Sequence, residues 1–201
     1  MCGRYVFHMK HERFEAVYQT QAPLGLEPRF NIAPTQRAPI IRLGEPSAAM
    51  LEWGITSFGK PIINARSETA LEKPLFRQAM HTGRCLVPAS GWYEWRKFDG
   101  GKYPYHLKLE SSDELAFAGL WRGEQFSILT TQAAESIQHI HDRMPVILPK
   151  ERWRVWLADT PLEQITAMLK PYDPRDLDAY LVSDRVGNVR NDDEDLLKSR
   201  V

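Results

Sequence analysis

The chain has 201 residues, with 26 basic and 26 acidic side chains, 43% hydrophobic residues and 10% aromatic residues. This length predicts one domain over residues 1–201, with room for a sizeable core. The apolar fraction and the zero net charge exclude an intrinsically disordered chain. They also argue against binding to nucleic acid or to anionic membranes by bulk charge, because that mode needs a strongly basic domain. Any nucleic-acid surface must therefore be a local patch.

The sequence shows no membrane or export signal. No stretch approaches the roughly 18 consecutive apolar residues that span a bilayer, and the first residues lack an apolar core of signal-peptide length. Two cysteines, Cys2 and Cys85, are too few for a disulfide framework or a four-cysteine zinc site, and Cys85 lies in an apolar run typical of a core. A soluble protein in a reducing compartment, the cytosol or the nucleus, is expected.

Short strands and few helices are predicted along the chain. A strand at residues 2–7 precedes a helix at residues 12–18, whose apolar side chains recur at i, i+3 and i+4. Residues 20–39 contain prolines too densely for regular structure. Further strands are predicted at residues 38–43, 48–53, 84–87, 91–98, 103–109, 115–120, 125–131 and 179–182, and helices at 74–80, 134–140, 150–157 and 162–169. Clustered strands favour an α+β domain over a doubly wound α/β fold.

Charge is distributed unevenly along the chain. Residues 60–108 carry nine basic and four acidic side chains, a local charge of +5, whereas residues 159–201 carry six basic and ten acidic ones, a local charge of −4. A basic patch is therefore expected in the middle of the chain. The alternative is a merely solvated face, which is the commoner meaning of such charge runs.

Cys2, directly after the initiator methionine, is the most informative residue. Aminopeptidases remove Met1 when the second side chain is small, and the mature chain would then begin with a free 1,2-aminothiol. The pKa is about 8 for its amine and about 8.5 for its thiol, and both pKa values are easily lowered at a site. An aldehyde attacked by the amine gives an imine, which the thiolate can close into a five-membered thiazolidine ring. The alternative is a small buried residue, as free cysteines commonly are.

Glu94 lies among large aromatic residues in the segment Gly91-Trp92-Tyr93-Glu94-Trp95. Side chains alternate along a strand, so Trp92 and Glu94 are predicted to share a face. A carboxyl group beside an indole is partly desolvated, which raises its pKa toward the range useful for acid–base catalysis. The alternative is a glutamate that points into water.

His141 follows a predicted helix and precedes an apolar strand. His139 and His141 are spaced i, i+2, whereas helical metal ligands need i, i+4, and no third ligand is nearby, so no metal site is predicted. A loop imidazole with a pKa of about 6.5 suits proton transfer, although many such residues are structural.

The segment Ile63-Asn64-Ala65-Arg66-Ser67-Glu68-Thr69 is predicted to be a polar loop before a helix. Arg66 can bind a phosphate through two N–H groups and Asn64 can hold a polar substrate group, while the alternative is a helix N-terminus capped by Ser67. Cations and stacking planes of the sort that single-stranded nucleic acid uses are added by Arg4, Trp53, Trp95 and Arg143.

Together these segments resemble the SRAP family, the SOS response-associated peptidases that crosslink to abasic sites in DNA. The motifs that carry the resemblance cover essentially the whole chain in family order. They are Met1-Cys2-Gly3-Arg4-Tyr5, Phe30-Asn31-Ile32-Ala33-Pro34, Trp53-Gly54, Ile63-Asn64-Ala65-Arg66-Ser67-Glu68-Thr69, Ser90-Gly91-Trp92-Tyr93-Glu94-Trp95, Ile140-His141-Asp142-Arg143-Met144-Pro145 and Val186-Gly187-Asn188-Val189-Arg190-Asn191.

The resemblance implies an α+β fold with a barrel-like, mainly antiparallel sheet, peripheral helices and a DNA groove that leads to Cys2. It implies a DNA damage (SOS) response protein that binds single-stranded DNA containing abasic sites, forms a covalent thiazolidine crosslink and has lyase-type activity. Removal of Met1 by the protein's own peptidase activity is one route to the free amine. A monomer without metal or cofactor is expected, located in the bacterial cytoplasm at the nucleoid or in a eukaryotic nucleus, and replication-fork proteins are conceivable partners.

The resemblance also implies residue roles. Asn64 would orient the substrate or Cys2, Glu94 would handle protons in ring opening and imine formation, and His141 would act on the sugar hydroxyl and in crosslink reversal. Residues near the DNA phosphates would be Arg4, Arg66 and Arg143. The groove would be lined by Trp53, Trp95 and Thr130.

Two other functions fit parts of the sequence. A hydrolase similar to glutamine amidotransferases also begins Met-Cys-Gly and forms a thioester through its N-terminal cysteine, but the further glutamine-pocket motifs of that family are missing here. A non-enzymatic reader would bind single-stranded or modified DNA without covalent chemistry. Glutaminase activity distinguishes the first, and unchanged DNA retention by Cys2→Ala in denaturing gels distinguishes the second.

Overall fold

A computed structural model describes residues 2–171, 175 and 177–200, and strands form most of its regular structure. The strands are β1 (Arg4–Phe7), β2 (Arg29–Ile32), β3 (Arg37–Arg42), β4 (Ala49–Trp53), β5 (Ile55–Ser57), β6 (Lys60–Ile62), β7 (Asn64–Arg66), β8 (Arg84–Ala89), β9 (Gly91–Phe98), β10 (Gly101–Leu109), β11 (Leu115–Arg122), β12 (Gln125–Gln132), β13 (Arg143–Pro145), β14 (Ile147–Leu148) and β15 (Leu177–Leu181). The helices are α1 (His11–Tyr18), α2 (Pro74–Thr82), α3 (Trp153–Leu157) and α4 (Leu162–Ala167). Single turns of 3-10 helix cover Glu135–Ile137, Lys150–Arg152, Asp184–Gly187 and Glu194–Leu197.

Five strands close into a barrel. β12 pairs with β4, β4 with β3, β3 with β8, β8 with β11, and β11 with β12 again. Of these pairs, β12–β4 is parallel and the others are antiparallel. Closure gives the backbone N–H and C=O groups of these strands partners on both sides. β8 is buried along its whole length because α2 and α3 pack against the outside of the barrel.

A glycine allows close packing of two barrel strands. Gly119 of β11 lies opposite Cys85 of β8, and a Cβ atom at position 119 would lie 2.7 Å from Val87 Cγ2 and 2.8 Å from Cys85 Sγ. Any larger residue would therefore push the strands apart. Cys85 is fully buried in this contact, which confirms the core position indicated by the sequence.

A second antiparallel sheet, with strand order β15-β10-β9-β1-β2, packs against the barrel. Tyr5 of β1 and Trp92 of β9 are cross-strand neighbours, and each ring packs edge-on against Phe117 of the barrel with centroids 6.0 Å apart. Tyr93, which lies between Trp92 and Glu94 in β9, belongs to a smaller apolar cluster on the other face of the sheet. Because side chains alternate along β9, Glu94 has the same orientation as Trp92.

The C-terminal segment is held to β2 by polar contacts. The fully buried Asn31 directs Nδ2 at the backbone oxygens of Val186, Asn188 and Asn191, at 2.9 to 3.2 Å. In return, Asp192 Oδ1 accepts hydrogen bonds from two backbone N–H groups of β2. These contacts join two motifs that lie far apart in the sequence.

The predicted α+β fold with a barrel-like, mainly antiparallel sheet and peripheral helices is confirmed. Three local predictions were wrong. The expected helix at 134–140 is a single 3-10 turn, because the N–H groups of Ala133 and Ala134 bond to Asp142 O and Met144 Sδ near β13. Residues 20–39 contain β2 and the start of β3, and the polar segment at 63–69 contains β7, because partner strands supply their hydrogen bonds.

Candidate active site

Asn64, Glu94 and the segment before β13 meet at Cys2. Asn64, at the start of β7, donates a 2.8 Å hydrogen bond from Nδ2 to the carbonyl oxygen of Cys2. Cys2 precedes β1, which pairs with β9, and the negative charge of Glu94 contributes to the pKa of the Cys2 thiol. Asp142, the neighbour of His141, contributes in turn to the pKa of Glu94. The fold therefore gathers residues from four separate parts of the sequence.

The Cys2 side chain is fully buried. Burial, and after it the charge of Glu94, raises the pKa of the thiol well above its ordinary value. The sequence-based expectation of an easily lowered thiol pKa is therefore wrong for this structure, because the desolvation cost of a thiolate exceeds any local stabilisation. Sγ lies 3.8 Å from Arg4 O, to which a neutral thiol can donate. The resting sulfur is a thiol that needs a base before it can react.

Glu94 is only 2% exposed, so the alternative of a carboxylate in water is excluded. Burial raises its pKa to about 7, and the negative charge of Asp142 acts in the same direction. At neutral pH both the acid and its conjugate base are therefore present in similar amounts. A group of this kind can donate a proton in one step and accept one in the next.

The hydrogen bonds of His141 define its resting tautomer. The backbone N–H of Arg143 donates to His141 Nδ1 at 2.9 Å, so the neutral ring carries its hydrogen on Nε2. Nδ1 also lies 3.0 Å from Asp142 Oδ1, a contact that becomes attractive when the ring is protonated. Burial lowers the pKa of His141, while Asp142 opposes that shift. The neutral imidazole thus presents an N–H donor at Nε2.

The second polar atom of the Asn64 amide is unused. Within the described residues, no group donates a hydrogen bond to Asn64 Oδ1, which is buried. A buried amide oxygen without a partner is costly, and an amine or hydroxyl group brought beside it would remove that cost. Asn64 therefore holds the Cys2 backbone through Nδ2 and offers an acceptor through Oδ1.

Arg143 sits at the edge of this site in a fixed orientation. Its Nη1 and Nη2 donate to Glu68 Oε1 and Oε2 at 2.7 and 2.8 Å, and Nη2 also donates to the carbonyl oxygen of Thr130 at 2.7 Å. Hydrogen bonding to Arg143 lowers the pKa of Glu68. Arg143, which is predicted to bind a DNA phosphate, is thus already paired with the Glu68 carboxylate.

The other predicted DNA-binding residues differ in accessibility. Arg66 is exposed at the end of β7, and Trp95 is half-buried beside the smaller apolar cluster. Arg4 is half-buried, donates from Nη1 to Gly3 O at 2.8 Å, and has a pKa lowered by burial. Arg66 and Trp95 thus present side-chain surface to a ligand, whereas Arg4 does so only in part.

Two residues that were predicted to line the DNA groove, Trp53 and Thr130, are buried in the structure, contrary to that prediction. Trp53 is fully buried, with its ring packed edge-on against Tyr5 at 5.2 Å and its Nε1 donating to Ile63 O at 2.9 Å. Thr130 is also fully buried and holds Arg143 through its backbone oxygen. Neither side chain can touch DNA in this structure, because neighbouring strands cover both.

Sequence reasoning missed the roles of two residues of this region. Asp142 contacts His141, and Glu68 pairs with Arg143. For Asp142 a signal was available, because it directly follows His141 in the sequence. No sequence signal pairs Glu68 with Arg143, since they are 75 residues apart.

Two absences hold for the part of the chain that the structure describes. There, no group of three or more His, Cys, Asp or Glu side chains is placed to hold a metal ion. None of the helices in the same ranges has the length and apolarity required for a bilayer span.

Comparisons with known proteins identify a family and several similar chains. The sequence profile described as SOS response associated peptidase (SRAP) matches residues 1–189. The chain is 35% identical to the abasic site processing protein YoqW of Bacillus subtilis, over 99% of this chain and 100% of that protein. It is 28% identical to the abasic site processing protein YedK of Escherichia coli, over 98% and 99% of the two chains.

Solved structures share the fold. A protein from Bacteroides thetaiotaomicron superposes with a TM-score of 0.90 at 26% identity, over the full length of both chains. A phage-related protein from Bordetella bronchiseptica superposes with a TM-score of 0.74 at 32% identity, over 90% of this chain and 94% of that one. With the profile match and the relatives that align over nearly their full length, these likenesses show that the chain belongs to the SRAP family, the SOS response associated peptidases.

Proposed function

We propose that this protein processes abasic sites in single-stranded DNA by forming a covalent thiazolidine crosslink through Cys2 after Met1 has been removed. The observation that carries the proposal is the hydrogen bond from Asn64 to the Cys2 carbonyl, beside a buried Glu94 whose pKa is raised to about 7. The names of the relatives, abasic site processing proteins, support the same substrate.

The first step is opening of the abasic sugar. The cyclic hemiacetal loses the proton of its C1 hydroxyl and gains one on the ring oxygen, which gives an aldehyde and a free C4 hydroxyl. The ionised fraction of Glu94 accepts the first proton, and the protonated fraction of His141, whose Nδ1 faces Asp142, gives its Nε2 proton to the ring oxygen. His141 regains a proton when the Cys2 nitrogen loses one in the next step. Asn64 Oδ1 accepts a hydrogen bond from the Cys2 amine or from a sugar hydroxyl.

Imine formation then joins the DNA to the protein. The Cys2 amine adds to the aldehyde carbon, and the resulting carbinolamine loses its hydroxyl as water after that oxygen has been protonated. Glu94, neutral after the first proton transfer, supplies this proton, and the nitrogen gives up its own to complete the C=N bond. One water leaves in all.

Ring closure traps the imine. The Cys2 sulfur adds to the imine carbon, a C–S bond forms, and the thiol proton ends on the nitrogen. The high thiol pKa requires transfer of this proton during attack, and the ionised carboxylate of Glu94 is the neighbouring base. Reversal runs through the same steps, with His141 as the second proton donor. A lyase-type strand cleavage would proceed from the imine before the sulfur closes the ring.

Removal of Met1 precedes this chemistry, because an amide nitrogen is not nucleophilic enough to attack an aldehyde. We propose that the protein's own peptidase activity or a cellular aminopeptidase carries it out. The protein would act as a monomer where single-stranded DNA is exposed, at the nucleoid of a bacterium or in the nucleus of a eukaryote.

Intact mass spectrometry tests the proposal. The purified protein is expected to lack Met1 and, after incubation with single-stranded DNA containing one abasic site, to gain the mass of the DNA less one water. Cys2→Ala should form no heat-stable adduct, whereas Cys2→Ser should give at most a transient imine that borohydride traps. Undiminished, stable adduct in Cys2→Ala would refute the crosslink. Cys2-dependent glutaminase activity without an adduct would favour the amidohydrolase.

A further inference from the structure

The guanidinium of Arg143 is held in place by the protein itself. The side chain is 13% exposed, and its Nη2 uses both hydrogens, one on Glu68 Oε2 and one on the carbonyl oxygen of Thr130. The same carbonyl oxygen accepts the backbone N–H of Ser67 at 2.9 Å, which ties the start of the Glu68 segment to β12. The orientation of Arg143 is therefore set jointly by the Glu68 carboxylate and by the backbone oxygen of Thr130.

Glu68 is the exposed partner in this ion pair. Its side chain is 48% exposed, against 13% for Arg143, so its carboxylate can move into water with little loss of packing. Arg66 is close enough to contribute to the lowered pKa of Glu68, after the larger effect of Arg143. Departure of this carboxylate would leave the Nη1 and Nη2 groups of Arg143 without their anionic partner.

An arginine binds a carboxylate and a phosphate through the same pair of parallel N–H groups. A DNA phosphate that approaches Arg143 therefore meets the position already occupied by Glu68, and two anions cannot share one guanidinium edge without repulsion. The Arg143 Nε is buried without a hydrogen-bond partner among the described residues, so it offers no second edge to solvent.

We propose that Glu68 is a resident anion that fills the phosphate site of Arg143 in the free protein and is displaced by a phosphate of single-stranded DNA. Glu68 thereby sets the affinity and the salt dependence of DNA binding. This inference rests on the proposed function, since it requires that single-stranded DNA binds at this edge of the site. In the free protein, Glu68 also keeps Arg143 paired and oriented.

The test measures non-covalent binding, so that crosslinking cannot influence it. All proteins carry Cys2→Ala, and fluorescence anisotropy with an undamaged single-stranded oligonucleotide is recorded over a range of salt concentrations. Glu68→Gln is expected to tighten binding about 3- to 10-fold at low salt, because the phosphate no longer competes with a carboxylate. The log–log salt slope should steepen by about 0.7, the value for one more net cation facing single-stranded DNA.

Two controls separate the exchange from a general charge effect. Glu72→Gln makes the same charge change on an exposed residue of the same segment and should alter affinity less than about 2-fold. In an Arg143→Ala background, Glu68→Gln should lose most of its effect, because the two residues act as a pair. Glu68→Ala repeats the measurement without an amide, and thermal melting verifies that each variant is folded.

The outcomes separate the two proposals. Weaker binding by both Glu68→Gln and Glu68→Ala would show that Glu68 only supports Arg143 and would overturn the exchange. Unchanged affinity and slope would overturn it as well, while leaving the proposed function intact. If neither the Cys2→Ala parent nor any variant bound single-stranded DNA, the proposed function itself would fail, and the exchange with it.

Discussion

The Cys2 site and the Arg143–Glu68 ion pair at its edge have opposite effects on the charge of their acidic groups. Glu94 and Cys2 are buried, and desolvation favours their neutral, protonated forms. Glu68 and Arg66 are exposed, and ion pairing with Arg143 favours the charged form of Glu68. Desolvation determines the protonation states in the first region. Ion pairing between groups in contact with water determines them in the second.

This difference predicts two kinds of response. Groups whose pKa values are shifted by burial respond to pH and only weakly to salt, because little screening reaches a buried site. Exposed ion pairs respond to salt and only weakly to pH near neutrality. Chemistry at Cys2 and DNA capture at the arginines should therefore be separable by varying one condition at a time.

The largest expected effect is the loss of proton transfer at Glu94. Glu94→Gln should slow adduct formation by about 10²- to 10³-fold at neutral pH, because the amide can neither donate nor accept the protons that the steps require. The rate of the unaltered protein should vary with pH around the pKa of about 7, and this dependence should vanish in the variant. Quenched time courses with abasic single-stranded DNA measure both.

A matched control is Glu110→Gln, which removes an exposed carboxylate at the end of the neighbouring strand β10. It should leave the rate and its pH dependence unchanged. An equal loss of rate in Glu110→Gln, or a full rate in Glu94→Gln, would contradict the assignment of proton transfer to Glu94.

Burial of Glu94 should also appear in folding stability. Its pKa is raised from 4.5 in the unfolded chain to about 7 in the folded one, so the folded state binds this proton more tightly. The stabilisation is complete below the unfolded pKa and is lost as the pH rises through the folded pKa, a loss of about 3 kcal/mol. Glu94→Gln should remove this loss and be the more stable protein above about pH 8.

Urea unfolding of both proteins at about pH 5 and about pH 8 tests this sign. The difference between the two proteins isolates Glu94, because His141, whose pKa is lowered, contributes with the opposite sign in both. If the unaltered protein lost no stability relative to the variant on going to the higher pH, Glu94 would not be desolvated as described.

A smaller effect is expected at His141, which lies nearer to water than Glu94. His141→Ala should still form adducts but release them about 10-fold more slowly, since reversal loses its second proton donor. The measurement is transfer of protein from a preformed adduct to competitor DNA. His139→Ala, an exposed imidazole two residues away, should behave as the unaltered protein does. Equal release by His141→Ala would remove His141 from the reaction.

The smallest effects concern DNA capture. Arg66→Ala should weaken non-covalent binding a few-fold and reduce the salt slope by about 0.7, the contribution of one phosphate contact on a single strand. Arg4→Ala should change the slope less, because Arg4 is half-buried and one of its N–H groups bonds to Gly3 O. Arg122→Ala, an exposed arginine at the end of β11, serves as the control and should change neither quantity. A larger effect from Arg122 would move the DNA surface to another face.

Local sequence determined the elements that depend on near neighbours. The segment Phe98-Asp99-Gly100-Gly101-Lys102 is typical of a hairpin turn, and Asp99 and Gly100 have positive φ angles of 47° and 74°, the pair that a tight turn between twisted strands requires. Alternation along β9 likewise predicted that Trp92 and Glu94 share a face, and the structure shows both side chains buried. Such features need only the period of a strand or the φ preference of a turn.

Only the tertiary structure decided which side chains are accessible and which charges are paired. The sequence suggested Trp53 as a surface on which a base could stack, but its side chain is fully buried. Arg143 forms an ion pair with Glu68, a residue from a distant segment. The raised thiol pKa of Cys2 likewise depends on its full burial and on the charge of Glu94, which is distant in the sequence. Desolvation and ion pairing arise from atoms distant in sequence, whereas periodicity and turn chemistry are properties of a few consecutive residues.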